Sequence, residues 1–411
     1  MRGLGVRVSS SALNYRALRT FGTLLPRWTG GWMPWLGLSS YTLPDLPGPQ
    51  WVRLRPLLAG ICGSDISMLT GRASAVLSPF SSFPAILGHE VVAVVEEAGA
   101  DAGVTAGRRV VLDPIISCAL RGLEPCPGCS SGTPALCRRA TEGDLSPGML
   151  IGFCHDLPGA WSEGMLAHAS QLHPVPERLS DEVAALAEPL ACGLHAVLAH
   201  PPADGDRALV IGGGAIGLGA LAALRMTAPA TETTIVVRHR VQAELAAQLG
   251  AGHVVVDRDG DGTRRAAVRL AGAREHRALV GGSTLTGGYE LVYDCVGTAA
   301  SLDAAQRVTA PRGHLALIGS VGVVRQLDLT LAWARELRII GSYVYGREAG
   351  VPGLPHTIDH LMTLLCAEGA PDVTGLVTHR FRLEDWRAAL RTAMGHGRAA
   401  SVKVVFDHRA A

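Results

Sequence analysis

The sequence predicts an α/β protein of two domains, a small β-rich, barrel-like domain and a doubly wound parallel sheet. Three observations predict it. The 411 residues are long for one hydrophobic core and suit two domains of ordinary size. Short apolar runs separated by turn residues fill the first part of the chain, the pattern of a small barrel. From Ser180 onward, helix-like and strand-like segments alternate, which is the rhythm of βαβ units.

Composition narrows the function classes. Hydrophobic residues at 48%, charged at 18% and aromatic at 5% describe a globular chain. With 37 basic against 36 acidic residues there is no electrostatic footprint for nucleic acid, so small molecules are the expected partners. Lys403 is the one lysine, and this bias toward arginine reads as codon usage, not function. No uncharged run exceeds 17 residues, and Ala208–Leu224, one run of that length, is too short for a membrane span and rich in glycine. Arg7, Arg16 and Arg19 interrupt any signal-peptide core. The first 44 residues hold five Arg and no Asp or Glu, a composition shared with organelle transit peptides. The cytoplasm is the expected location and an organelle the alternative.

Along the chain, Trp51–Leu58 reads as a strand running into the turn Gly60–Asp65, G-I-C-G-S-D. Ala85–Val95 is a second strand region, interrupted by Gly88-His89-Glu90, and Arg108–Leu112 a third. Cys62, His89 and Glu90 thus offer a thiolate, an imidazole and a carboxylate to one ion. A catalytic zinc takes three such ligands and keeps a position for water or substrate. The alternative is a core cysteine with an ordinary His-Glu pair.

Cys118, Cys126, Cys129 and Cys137 follow in the spacing C-x7-C-x2-C-x7-C, within a loop punctuated by Pro125, Pro127, Gly128, Gly132 and Pro134. Such a loop builds no apolar core, so a structural zinc on four sulfurs is favoured over a pair of disulfides. Cys154, Cys192, Cys295 and Cys366 are left as small buried hydrophobes.

Ser180 is the expected N-cap of a helix, S-D-E-V-A-A-L-A. Strands are expected at Ala208–Ile211, Thr234–Val237, His253–Val256, Leu291–Cys295 and His314–Gly319. Asp257–Gly262 has the look of a calcium loop, but Val268 stands at the twelfth position where a bidentate Glu is needed. It reads as a solvated turn.

The segment Ala208-Leu-Val-Ile-Gly212-Gly-Gly214-Ala215-Ile216-Gly217 is strand, G-x-G-x-x-G turn, then helix. Gly212 allows the turn, Gly214 lets a pyrophosphate approach the backbone, and Gly217 lets helix and strand pack closely. An acidic residue normally ends the second strand to accept the ribose hydroxyl. Here Thr234–Val237 runs into Arg238-His239-Arg240. Basic groups suit a 2′-phosphate, so NADP is expected over NAD; the alternative is a solvated arginine turn.

Taken together, G-I-C-G-S-D, L-G-H-E, the cysteine loop, A-E-P-L-A-C-G-L-H-A-V and G-G-G-A-I-G resemble the zinc-dependent medium-chain dehydrogenase/reductase family, in particular its sorbitol and threonine dehydrogenase branch. The resemblance spans about Leu43 to Phe406. It implies a GroES-like β-barrel catalytic domain over 1–190 and 346–411, with 1–42 an atypical extension, and a Rossmann domain over 191–345. It also implies two zinc ions per chain, the catalytic one lying in the cleft between the domains, and a homodimer or homotetramer built through the Rossmann sheet. By that resemblance Cys62 and His89 are zinc ligands, Glu90 a ligand or close neighbour, and Glu188 a further, exchangeable ligand. Cys192, one helical turn on, is a lesser candidate. Ala215, Ile216, Val296 and Gly297 join the cofactor contacts.

Three departures stand out. Leu123 occupies the place of the loop's first cysteine, so Cys118 must reach across five extra positions. Ser67 replaces the branch's relay histidine and leaves Ser64 as the matched hydroxyl. Trp28, Trp32 and Trp35 lie in an extended N-terminal stretch that either caps the substrate cleft or packs outside, packing being favoured. The expected activity is hydride transfer between a secondary alcohol or polyol and NADP. Reduction of an activated alkene or imine, a redox-neutral reaction, and a non-catalytic nucleotide-binding protein are the alternatives.

Overall fold

Within the acid-free N-terminal stretch, residues 2–9 and 35–44 are described and include two strands. β1 (Arg2–Val8) and β2 (Leu36–Thr42) pair antiparallel, and Val6 and Val8 are fully buried in the core. Trp35 packs against the same core. The computed structural model describes residues 2–9, 35–280, 282–320, 322–324, 326–395 and 400–409; Trp28, Trp32, Arg16 and Arg19 lie outside them.

β3 (Trp51–Gly60) follows, and every residue but Arg55 is buried. The alternation of apolar and basic residues thus yields a strand covered on both faces, with the Arg53 guanidinium 3.1 Å from Glu97. β4 (Ala85–Ile86) pairs with β1. β5 (Val91–Ala98) and β7 (Met165–His168) pair antiparallel with β3, while β6 (Arg109–Leu112) joins β5 to β8 (Leu172–Pro174). His89 and Glu90 therefore sit in the short link between β4 and β5, where the Gly60 N–H donates to the Glu90 carbonyl at 2.8 Å. Ser180 caps the helix Asp181–Ala185, its hydroxyl accepting from the Val183 N–H at 3.3 Å. A second helix, Ala187–Ala199, starts directly afterwards with Pro189 in its first turn, where the missing N–H costs nothing.

The parallel sheet comprises β9 (Arg207–Ile211), β10 (Glu232–Val237), β11 (His253–Val256), β14 (Tyr289–Asp294), β15 (Thr309–Leu317) and β16 (Arg338–Gly341), with β12 (Arg274–Arg277) and β13 (Ser283–Thr286) forming a separate hairpin. Its order, β11-β10-β9-β14-β15-β16, is that of a dinucleotide-binding sheet whose strand order reverses beside β9. The hairpin and β16 have no counterpart in the expected elements. In the calcium-like loop, Asp259 pairs with Arg265 at 2.8 Å and Asp261 with Arg264 at 2.5 Å, so arginines already meet these charges.

β17 (Val377–Phe381) and β18 (Lys403–Asp407) are parallel, and β18 pairs antiparallel with β3. They complete a seven-stranded sheet, β17-β18-β3-β5-β6-β8 with β7 also on β3. The chain divides into one unit of Met1–Glu188 with Val377–Ala411 and another of Pro189–Leu376. The return thus falls at Val377 and not after Tyr345. The reason is local: Glu348, buried, lies 2.9 Å from His195 Nδ1 and accepts from the Thr357 hydroxyl, which ties this stretch to the second unit. Among the described residues no helix is long and apolar enough to cross a membrane.

Candidate active site

β3 ends at Gly60, and Cys62 caps the helix Gly63–Leu69 in extended conformation. The Cys62 sulfur accepts from the Ser64 N–H at 3.5 Å, and Asp65 Oδ2 accepts from the Cys62 N–H at 3.0 Å, a reciprocal capping box. The G-I-C-G-S-D turn is thus a helix start that fixes the direction of a thiol. Asp65 is fully buried, and its other oxygen lies 3.5 Å from His89 Nδ1. That carboxylate holds the ring with Nε2 turned toward Ser64 Oγ, 3.4 Å away, the arrangement by which a carboxylate orients a ligating histidine.

One donor atom each from Cys62, His89 and Glu90 lies within 4.8 Å of the others. His89 is buried, which works against its charged form, yet the Asp65 carboxylate and the Cys62 sulfur hold it well above its ordinary value. Glu188, buried at the start of its helix, is pushed up to about 8, by burial first and by the negative charges of Glu90 and Asp113, while His89 and Lys403 oppose the shift. A site of this kind, with a partly buried thiol beside a buried imidazole and carboxyl groups, fits a divalent zinc.

Lys403 has a structural partner that composition does not reveal. Its ammonium is buried and stands 2.7 and 2.6 Å from the two oxygens of Glu90. Burial disfavours that charge, but Glu90 and then Cys62 keep the lysine raised. Sequence reasoning missed both Lys403 and Asp65. Asp65 lies inside the quoted turn, and Lys403 was conspicuous as the single lysine.

The cysteine loop closes despite its altered spacing. Donor sulfurs of Cys118, Cys126, Cys129 and Cys137 all lie within 4.8 Å of one another. Backbone N–H groups of Cys126, Arg138 and Arg139 donate to the sulfurs of Cys118, Cys126 and Cys137, each at 3.4 Å, as suits thiolates on a metal. The Arg138 N–H pulls Cys126 down to about 6, whereas burial pushes Cys137 up to about 11. The Cys118–Cys137 sulfurs are 3.6 Å apart, well beyond the ~2.05 Å of a disulfide. Arg121 explains how Cys118 arrives: fully buried, it donates to the carbonyls of Glu142, Leu145, Ser146 and Gly148 at 2.7–3.3 Å. Of the other cysteines Cys154 is buried, while Cys192, Cys295 and Cys366 are only partly so.

In the second unit, Gly212 adopts a φ of +106°, open to glycine and strained for other residues. A Cβ on Gly217 would stand 1.9 Å from the Gly212 carbonyl oxygen, and one on Gly214 would meet nothing within 4 Å. The turn is therefore tight on its inner side and open outside, where Ala215 and Ile216 begin the helix Ala215–Thr227, a suitable cradle for a pyrophosphate. Val296 adjoins it, its Cγ2 being 2.7 Å from a Gly212 Cβ position. Asp294 accepts from the N–H groups of Val296 and Gly297 at 2.9 and 3.2 Å and so fixes that second turn. Arg238 and Arg240 line one open cavity of about 430 Å³ with Arg258, a third arginine from the end of β11. Arg240 is mostly exposed and pairs with Glu244 at 2.7 Å; the N–H groups of Arg238 and His239 donate to Gln242 Oε1.

Known proteins share these features. Residues 48–177 match the alcohol dehydrogenase GroES-like domain and residues 215–364 the zinc-binding dehydrogenase domain. The chain is 29% identical over 384 residues to L-idonate 5-dehydrogenase of Vitis vinifera, covering 90% of this chain and 92% of that one. It is also 29% identical to sorbitol dehydrogenase of Arabidopsis thaliana, over 84% and 85% of the two chains. A solved zinc-binding dehydrogenase of Sinorhizobium meliloti 1021, bound to NADP, matches with a TM-score of 0.73 at 26% identity, covering 99% of each chain. With its GroES-like domain, its Rossmann sheet and these relatives, the chain belongs to the zinc-dependent medium-chain dehydrogenase family and is an oxidoreductase.

Proposed function

We propose that the protein interconverts a secondary alcohol of polyol type and its ketone, using NADP(H) in preference to NAD(H). The convergence of Cys62, His89 and Glu90 within 4.8 Å carries the reading. Cys62, His89 and a carboxylate would hold a catalytic zinc, and Cys118, Cys126, Cys129 and Cys137 a structural one. Bound zinc supplies Lewis acidity toward an alcohol or carbonyl oxygen, and bound nicotinamide carries the hydride. Asp65 keeps His89 in its ligating orientation. The Ser64 hydroxyl would relay the alcohol proton, accepting it while passing its own to water and reversing this in reduction, a task that falls to it because Ser67 stands in place of the branch's histidine.

Arg238, Arg240 and Arg258 around one cavity support the preference for NADP, since guanidinium groups pair well with phosphate and no acid ends β10. The relatives named for idonate and sorbitol favour a polyol or sugar acid over a simple alcohol. Assembly as a homodimer or homotetramer through the sheet edge suits β16, where Arg338, Ile339 and Gly341 are exposed. The test is oxidation of a panel of polyols, sugar acids and simple secondary alcohols with each cofactor. We expect higher kcat/KM with NADP and two zinc ions per chain. A clear preference for NAD, or full turnover by a Cys62→Ser variant that keeps both metals, would refute the reading.

A further inference from the structure

The arginines around the second unit's cavity are not equivalent. Arg240 is paired with Glu244, which lines the same cavity, whereas Arg238 and Arg258 form no ion pair among the described residues. For Arg258 that freedom runs against its sequence. It stands in D-R-D-G-D-G, between Asp257 and Asp259 and with Asp261 close behind, and an exposed guanidinium readily pairs with a neighbouring carboxylate.

The fold gives each of these acids another partner. Asp257 Oδ1 accepts from the N–H groups of Gly260 and Gly262 at 2.9 and 3.0 Å. The fit there is close, since a Cβ on Gly262 would stand 2.6 Å from that of Asp257. Both oxygens of Asp259 accept from Arg265, at 2.8 and 2.9 Å, and both of Asp261 accept from Arg264. Arg264 and Arg265 lie in the first turn of the helix Gly262–Leu270 and do not line the cavity. The calcium-like loop thus closes on its own arginines and leaves Arg258 to the cavity. We infer that Arg265 is a positioning residue for cofactor choice: its two-bond pair with Asp259 keeps that carboxylate away from Arg258, which stays free for the 2′-phosphate of NADP. This rests on the NADP reading above. Without Arg265, Asp259 turns to the unpaired guanidinium beside it, and the phosphate has to displace a carboxylate.

The test measures binding of 2′,5′-ADP and 5′-AMP to the full-length holoenzyme by titration calorimetry, because these probes differ only in the 2′-phosphate. Arg265→Met should weaken 2′,5′-ADP by about fivefold, the scale of a well-formed exposed ion pair, and leave 5′-AMP unchanged. The double variant Arg265→Met/Asp259→Asn should regain wild-type affinity, and Asp259→Asn alone should weaken neither probe. Equal loss of both probes in Arg265→Met, loss of neither, or no rescue by Asp259→Asn overturns the inference. If Arg265→Met does not fold, Arg265→Gln, with and without Asp259→Asn, takes its place under the same outcomes. Arg258→Ala separates this inference from the reading beneath it. If Arg258→Ala binds 2′,5′-ADP as well as wild type, the cavity is not the phosphate site and both fall. If Arg258→Ala loses 2′,5′-ADP affinity and Arg265→Met does not, only the positioning role falls.

Discussion

The two cysteine-bearing centres are assembled in opposite ways. The four-cysteine loop is contiguous, its outermost members Cys118 and Cys137 being 19 positions apart, and its donors are all sulfurs supported by backbone N–H groups. The Cys62 centre mixes a thiol, an imidazole, three carboxyl groups and an ammonium, with Glu90 and Lys403 separated by 313 positions. A contiguous set of like ligands closes around an ion and anchors a loop. A set gathered from distant strands lets the fold decide which charge stands beside which ligand, and that control is what an open, reactive site requires.

The largest expected effects separate the two centres by kind. Cys126→Ser should cost the structural zinc and lower Tm by roughly 10 °C or more, since metal affinity in such a loop is folding energy; circular dichroism melts with metal analysis measure it. Cys62→Ser should leave Tm nearly unchanged and lower kcat/KM by about a thousandfold, the scale of lost Lewis-acid stabilisation. If the two variants behave alike, the contrast between anchoring and reacting collapses. A smaller effect tests the support beneath the open site. Asp65→Asn keeps the cap geometry but removes the charge facing His89, and should weaken metal affinity by about 10–100-fold, read by chelator competition.

How much was legible follows the same division. The cysteine loop, the glycine turn and the trio Cys62, His89 and Glu90 were readable because each is a local pattern with its own chemistry. Cys118 was readable as a member of the cysteine cluster, but the means of its arrival was not, since Arg121 acts on carbonyls more than 20 positions away. Lys403 was visible only as a compositional oddity. Its role depends on β18 pairing with β3, a contact that no periodicity announces. The return at Val377 was missed for a similar reason: the His195–Glu348 pair joins residues 153 positions apart.

Arg238, Arg240 and Arg258 of the second unit form an intermediate case, two from the segment after β10 and one from the turn after β11. Arg258→Ala should lower kcat/KM with NADP by about tenfold and leave NAD nearly unaffected, the scale of one charge-assisted hydrogen bond. An equal loss with both cofactors would mean that Arg258 supports the fold and not the phosphate.

Long separation alone does not make a contact decisive, and Arg409 isolates that point. It reaches Asp181 and Glu182, 228 and 227 positions back, at 2.9 and 3.1 Å, but one third of its side chain stays exposed. Burial opposes ionisation of Glu182, yet Arg409 holds its carboxyl, like that of Asp407, below the ordinary value. Depressed carboxyl groups add stability above their unfolded-state values, and the gain is lost as pH falls through the folded-state values. Arg409→Met should therefore flatten the fall of Tm below the usual carboxylate range and cost no more than about 1 kcal/mol at neutral pH, as expected for a largely solvated network. Melts between neutral and acid pH measure both. A loss as large as that of Cys126→Ser would show that separation, and not burial, governs what a distant ion pair contributes.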